Sequence, residues 1–179
     1  MGHTLVAVFS EESKMKLRKL LKETGAEDSC KIPYRSGCDR AAANNIMEHH
    51  ITLYHWAKAN DAVYLERLRS LHDIDQSSVT VVKPVLLKDK ESYVICLEVA
   101  ASEHFSEMIC SVGKKLGMAP GTFLHITLDA TRDCNRAKLI YNSLKGMKCF
   151  PFKLDIGGLV LYKIWRPVEL VKRYPIRRK

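Results

Sequence analysis

His50-Ile51-Thr52-Leu53 recurs 75 residues later as His125-Ile126-Thr127-Leu128. Both copies sit in short apolar runs with strand character, His49 to Trp56 and Phe123 to Ala130. In a strand, residues i and i+2 point to the same face. Each copy therefore sets an imidazole beside a hydroxyl on one face and turns Ile and Leu toward a core. His49 falls out of register and points to the opposite face. His104-Phe105-Ser106 has a similar look but lies in a helical pattern and is followed by Glu107, so it is set aside.

The flanking sequence supplies the rest of the fold. Thr4 to Phe9 reads as a central strand, and Glu11 to Thr24 as a helix capped by Ser10 and stopped at Gly25. Residues 26–48 have no clear period beyond a helical turn within Ala41 to Met47, and a connection that long tends to line a site. Asp61 to His72 is a helix. Val79 to Leu87 and Tyr93 to Ala100 form a hairpin across a polar Lys88-Asp89-Lys90-Glu91 turn. Ser102 caps a helix that runs to Leu116, and Asp133 to Leu144 is another. Phe152 to Ile156, Leu159 to Ile164 and Val168 to Tyr174 read as three short strands. The hairpin argues against a doubly wound parallel sheet. Gly157-Gly158 lies between strands and lacks the spacing of a phosphate loop. The expected class is α+β, with mainly antiparallel sheets and helices packed outside.

Composition narrows the function classes. The chain has 179 residues, 46% hydrophobic and 27% charged, the profile of a globular protein in one domain spanning 1–179. No apolar run reaches the roughly 18–20 residues of a membrane helix, and no secretory signal is evident. The six cysteines contain no Cys-x-x-Cys and no zinc spacing, so reduced thiols and a cytoplasmic location are expected. The net charge of +9 is uneven: residues 1–89 hold 13 Lys/Arg against 12 Asp/Glu, and residues 90–179 hold 16 against 8. A positive field on the second half draws anions such as phosphate polymers.

Two histidines across a cleft can act as base and acid in one reaction. Two threonines beside them can donate to nonbridging oxygens, where charge builds during in-line cleavage of a phosphodiester. Such a site needs no metal and no cofactor.

These paired His-x-Thr-apolar motifs resemble those of the 2H phosphoesterase superfamily, which includes the bacterial 2′-5′ RNA ligase-like proteins and 2′,3′-cyclic phosphodiesterases. The resemblance covers most of the chain, from the opening strand and helix to the final strands. It implies a bilobal fold of two pseudo-symmetric sheets around a central cleft, one motif in each lobe. It also implies metal-independent action on RNA 2′,3′-cyclic phosphates or 2′-5′ linkages, with weak reverse ligation. The family pattern transfers His50 and His125 as catalytic groups and Thr52 and Thr127 as phosphate-binding groups. Further candidates for substrate contact are Tyr54, expected to continue the His50/Thr52 face; Tyr34, Arg35 and Arg40 in the long connection; and Tyr162 on a strand beside the cleft. The expected partner is RNA or a nucleotide, bound by a monomer with no membrane association. A non-catalytic RNA-binding module and a small-molecule cyclic phosphodiesterase are the alternatives.

Overall fold

The computed structural model describes residues 2–25, 49–57, 61–69, 71, 74–89, 92–164 and 169–176. Tyr34, Arg35 and Arg40 lie outside the described residues, as does the helical turn expected near Ala41.

Seven strands and four helices are described. They are β1 (Gly2–Phe9), α1 (Glu11–Thr24), β2 (His50–Ala57), α2 (Asp61–Leu68), β3 (Ser78–Asp89), β4 (Ser92–Ala101), α3 (Glu103–Leu116), β5 (His125–Thr131), α4 (Cys134–Lys145), β6 (Phe152–Ile164) and β7 (Glu169–Pro175). The helix ends follow local chemistry. Ser10 Oγ accepts from the Ser13 N–H and Ser102 Oγ from the Phe105 N–H. Gly25 and Gly117 close α1 and α3 at φ of 66° and 69°, a left-handed conformation that glycine adopts without a side-chain clash. Helix α2 is shorter than the expected Asp61 to His72. Arg69 and Leu71 donate to the carbonyls of Glu66 and Leu68, tight three-residue bonds that end the regular ladder.

All seven strands join one antiparallel sheet in the order β1-β2-β5-β4-β3-β6-β7, and β1 also pairs with β6, which closes the sheet into a ring. The class is α+β as expected. The long strand β6 ties the halves together: Phe152–Asp155 pairs with β3, and Ile156–Ile164 pairs with β1. This corrects the expectation of two short strands separated by Gly157-Gly158. The glycines lie within one strand, and the register against β1 slips at this point, Val8 facing Gly158 and Phe9 facing Ile156. A Cβ at Gly157 would lie 2.7 Å from the Phe9 carbonyl oxygen, and one at Gly158 would lie 2.8 Å from that of Tyr174. Glycine here lets a bulged strand pass close to its neighbours rather than end.

The main core lies between the sheet and the helices. Leu17, Leu20 and Leu21 of α1, Phe105, Ile109, Val112 and Leu116 of α3, and Ala137, Ile140 and Leu144 of α4 pack on the inward residues of the strands. Each large side chain buried this way contributes about 1.5–3 kcal/mol. Ile51 and Ile126, the second residues of the two repeated tetrapeptides, are both fully buried in it. No helix among the described residues is long and apolar enough to cross a membrane.

Candidate active site

The two tetrapeptides meet. Strands β2 and β5 pair antiparallel through Ile51 and Ile126. The register set by that pair carries His50 opposite Thr127, and Thr52 opposite His125. Both isoleucines point to the core, so the four polar side chains share the other face. On it Thr52 is exposed, and His50, His125 and Thr127 are half-buried. His50 and His125 are diagonal neighbours, a relation that spans about 7–8 Å between paired strands.

The repeat extends to backbone geometry. Against β1, Leu5 faces Tyr54 while the next residue, Val6, faces Thr52, so Leu53 is an extra residue in β2. Against β4, Ile95 faces Asp129 while Cys96 faces Thr127, so Leu128 is an extra residue in β5. Each copy thus carries a bulge at its leucine. A bulge reverses the alternation beyond it. Leu53 and the following Tyr54 are both buried on the core side, and His55 returns to the face of His50 and Thr52.

The expectation for Tyr54 is corrected by this bulge. Tyr54 is 3% exposed and packs in the main core. Its Oη donates to the Ile109 carbonyl at 2.7 Å and is itself hydrogen-bonded by the Gly113 backbone. Burial, then the nearby Cys110, pushes its hydroxyl pKa above the usual tyrosine value. Tyr162 does lie on the same sheet face as Thr52, because Thr4 faces both Tyr162 and His55. It is fully buried there with Val6, Val8 and Val160, which makes it part of an apolar wall rather than an open contact. Its neighbour Lys163 points to the other side and pairs with Glu169 at 2.9 Å. His104 lies on α3 with its Nδ1 3.4 Å from Glu107, consistent with setting it aside.

Four further residues adjoin the motifs. His55 is exposed on their face, and a Cβ on Gly2 would lie 3.2 Å from its ring. The signal for it was present in the sequence. In His50-Ile-Thr-Leu-Tyr-His-Trp56 the adjacent apolar Leu53 and Tyr54 break the alternation, as a bulge does. Glu98 faces His125 from β4, and its carboxylate is 3.4 Å from Lys83 Nζ. Phe123 stacks on the His125 ring with centroids 5.1 Å apart. Cys96, facing Thr127, is fully buried. Burial, and then the charge of Glu98, pushes its thiol up to about 11, which keeps it protonated and unreactive at neutral pH. No cluster of three or more His, Cys, Asp or Glu suited to a metal occurs among the described residues.

No family model matches the sequence, and no curated protein does. Solved structures match in fold. Kluyveromyces marxianus Usb1 gives a TM-score of 0.53 at 10% identity, over 98% of this chain and 97% of that one. The same protein with uridine monophosphate gives 0.52 at 11% identity, over 98% of each chain. E. coli LigT complexed with ATP gives 0.48 at 11% identity, over 99% of this chain and 98% of that one. The Usb1 match extends over nearly the whole of both chains, so the α+β fold with its ring-closed antiparallel sheet is one that this chain shares with that protein.

Proposed function

We propose that the chain is a metal-independent phosphoesterase, one unit over 1–179, acting on RNA 2′,3′-cyclic phosphates or 2′-5′ phosphodiester linkages. The observation that carries this reading is the antiparallel pairing of Ile51 with Ile126. It supplies two imidazoles and two hydroxyls, crossed about a pseudo-two-fold, on one face of the sheet. The fold shared with Usb1, a protein also solved with uridine monophosphate, supports the same substrate class.

One of His50 and His125 takes the proton of the attacking water as its oxygen bonds to phosphorus. The other gives a proton to the ribose oxygen as the old P–O bond breaks. Thr52 and Thr127 donate to the nonbridging oxygens, which gain negative charge in the transition state. Product release leaves the two imidazoles with exchanged protonation, and solvent resets them. The positive charge of residues 90–179 raises the local concentration of a phosphate polymer.

The test is turnover of 2′,3′-cyclic nucleotides and 2′-5′ oligonucleotides with EDTA present. His50→Ala and His125→Ala should each reduce kcat by at least about 100-fold, as loss of a general acid or base does. Loss of wild-type turnover in EDTA would exclude the metal-free mechanism, and full activity in both variants would exclude the site. A bell-shaped pH–rate profile separates catalysis from RNA binding alone. Inhibition by RNA separates an RNA enzyme from one acting on a small cyclic phosphodiester.

A further inference from the structure

A histidine that moves protons needs its ring held at a fixed angle. The usual device is a hydrogen bond at the nitrogen facing away from the substrate, which sets both tautomer and ring plane. Among the described residues His125 lacks that device. Its Nδ1 is buried and has no hydrogen-bond partner among the described residues. Glu98, which faces His125 across the strands, directs its carboxylate to Lys83 at 3.4 Å.

What does touch the ring is Phe123, just before β5. The two rings stack with centroids 5.1 Å apart and planes 21° from parallel. Phe123 is also 42% exposed. It lies two residues before His125, so the contact is built into the local chain. A stacked pair of this kind favours its geometry by up to about tenfold in conformer population.

We infer that Phe123 is a positioning residue for His125, holding the imidazole by ring stacking where no polar group among the described residues holds it at Nδ1. The ring contact fixes the plane of the imidazole while leaving Nε2 free to exchange protons. The kinetic arm of the test rests on the paired-histidine reading; the spectroscopic arm does not.

The experiment compares wild type with Phe123→Leu and Phe123→Tyr. In ring-proton NMR, His125 should show the upfield shift of a ring under an aromatic face in wild type and Phe123→Tyr, and lose it in Phe123→Leu. With 2′,3′-cyclic uridine monophosphate as probe, Phe123→Leu should lower kcat about tenfold with KM unchanged within about twofold, and Phe123→Tyr should restore it. An unchanged kcat, or a raised KM at constant kcat, overturns the inference, the latter by making Phe123 a stacking platform for the base. A wild type with no turnover would refute the proposed function instead. The His125 shift would still decide the positioning role, and an unchanged shift in Phe123→Leu would sink it.

Discussion

Replacing Tyr54 by Phe separates the bulged strand from a regular one. In a regular strand Tyr54 would share the open face with His50 and Thr52, and its loss would show in catalysis. With the bulge at Leu53 it sits in the core, its hydroxyl wedged between the Ile109 carbonyl at 2.7 Å and the Gly113 backbone of α3. Tyr54→Phe removes that hydroxyl and nothing else. If α3 tightens so that Gly113 bonds directly to Ile109, the cost is about 1 kcal/mol. If both groups stay unmet, it approaches about 3 kcal/mol. A middle value of about 1.5 kcal/mol corresponds to a Tm lower by about 3–6 °C for a chain of this size. The pH dependence has a definite sign. Burial raises the folded-state pKa of Tyr54, so the protonated hydroxyl contributes stability below the ordinary tyrosine value, and that part is lost as pH rises through the folded value. The gap between wild type and variant should therefore narrow above about pH 10. Urea melts at several pH values and cyclic-phosphate kinetics at neutral pH are the assays. A variant with unchanged Tm and kcat reduced more than about tenfold would refute the buried placement.

Two more predictions follow from the same packing. Cys96 is raised from the ordinary thiol value near 9 to about 11, so folding stability should fall between those two pH values as the unfolded thiol ionises first. Cys96→Ala should flatten that part of the urea-midpoint profile, and a profile equally steep in the variant would assign the loss to other groups. Gly113→Ala should destabilise despite the gain of about 1 kcal/mol that alanine brings to a helix. Its Cβ would collide with Tyr54 Oη and lie 2.6 Å from the Met118 carbonyl, an overpacking cost of about 1–3 kcal/mol. Thermal melts of Gly113→Ala alone and combined with Tyr54→Phe should show a smaller penalty in the second background. Equal penalties would place the clash elsewhere.

Much of this protein is written in short-range chemistry. The Ser10 and Ser102 caps, the Gly25 and Gly117 stops and the hairpin of β3 and β4 each depend on residues near one another along the chain. So does the side-by-side placement of His and Thr within each tetrapeptide, since period-two alternation is a property of any strand. The repeat itself is plain in the order of residues. Misreadings cluster where the chain answers to distant neighbours. Gly157-Gly158 looked like a break, yet β1 and β7 pass on either side and keep the strand paired through it. Tyr54 looked like a cleft residue, yet β1 holds the bulge at Leu53 and α3 offers a slot above Gly113, so the tyrosine turns inward and His55 outward.

Which residues could carry acid–base chemistry was therefore legible along the chain, because residue type and strand alternation are local. That the two copies are crossed, His50 beside Thr127 and Thr52 beside His125, is not local. It follows from one pairing, Ile51 with Ile126, between segments 75 residues apart, and that pairing exists because both isoleucines are buried in a core shared by all seven described strands and all four described helices. The phase of each strand beyond its leucine and the stacking of Phe123 on His125 were likewise decided by the assembled sheet, where hydrogen-bond register and the space between packed rings outweigh any preference of the chain alone.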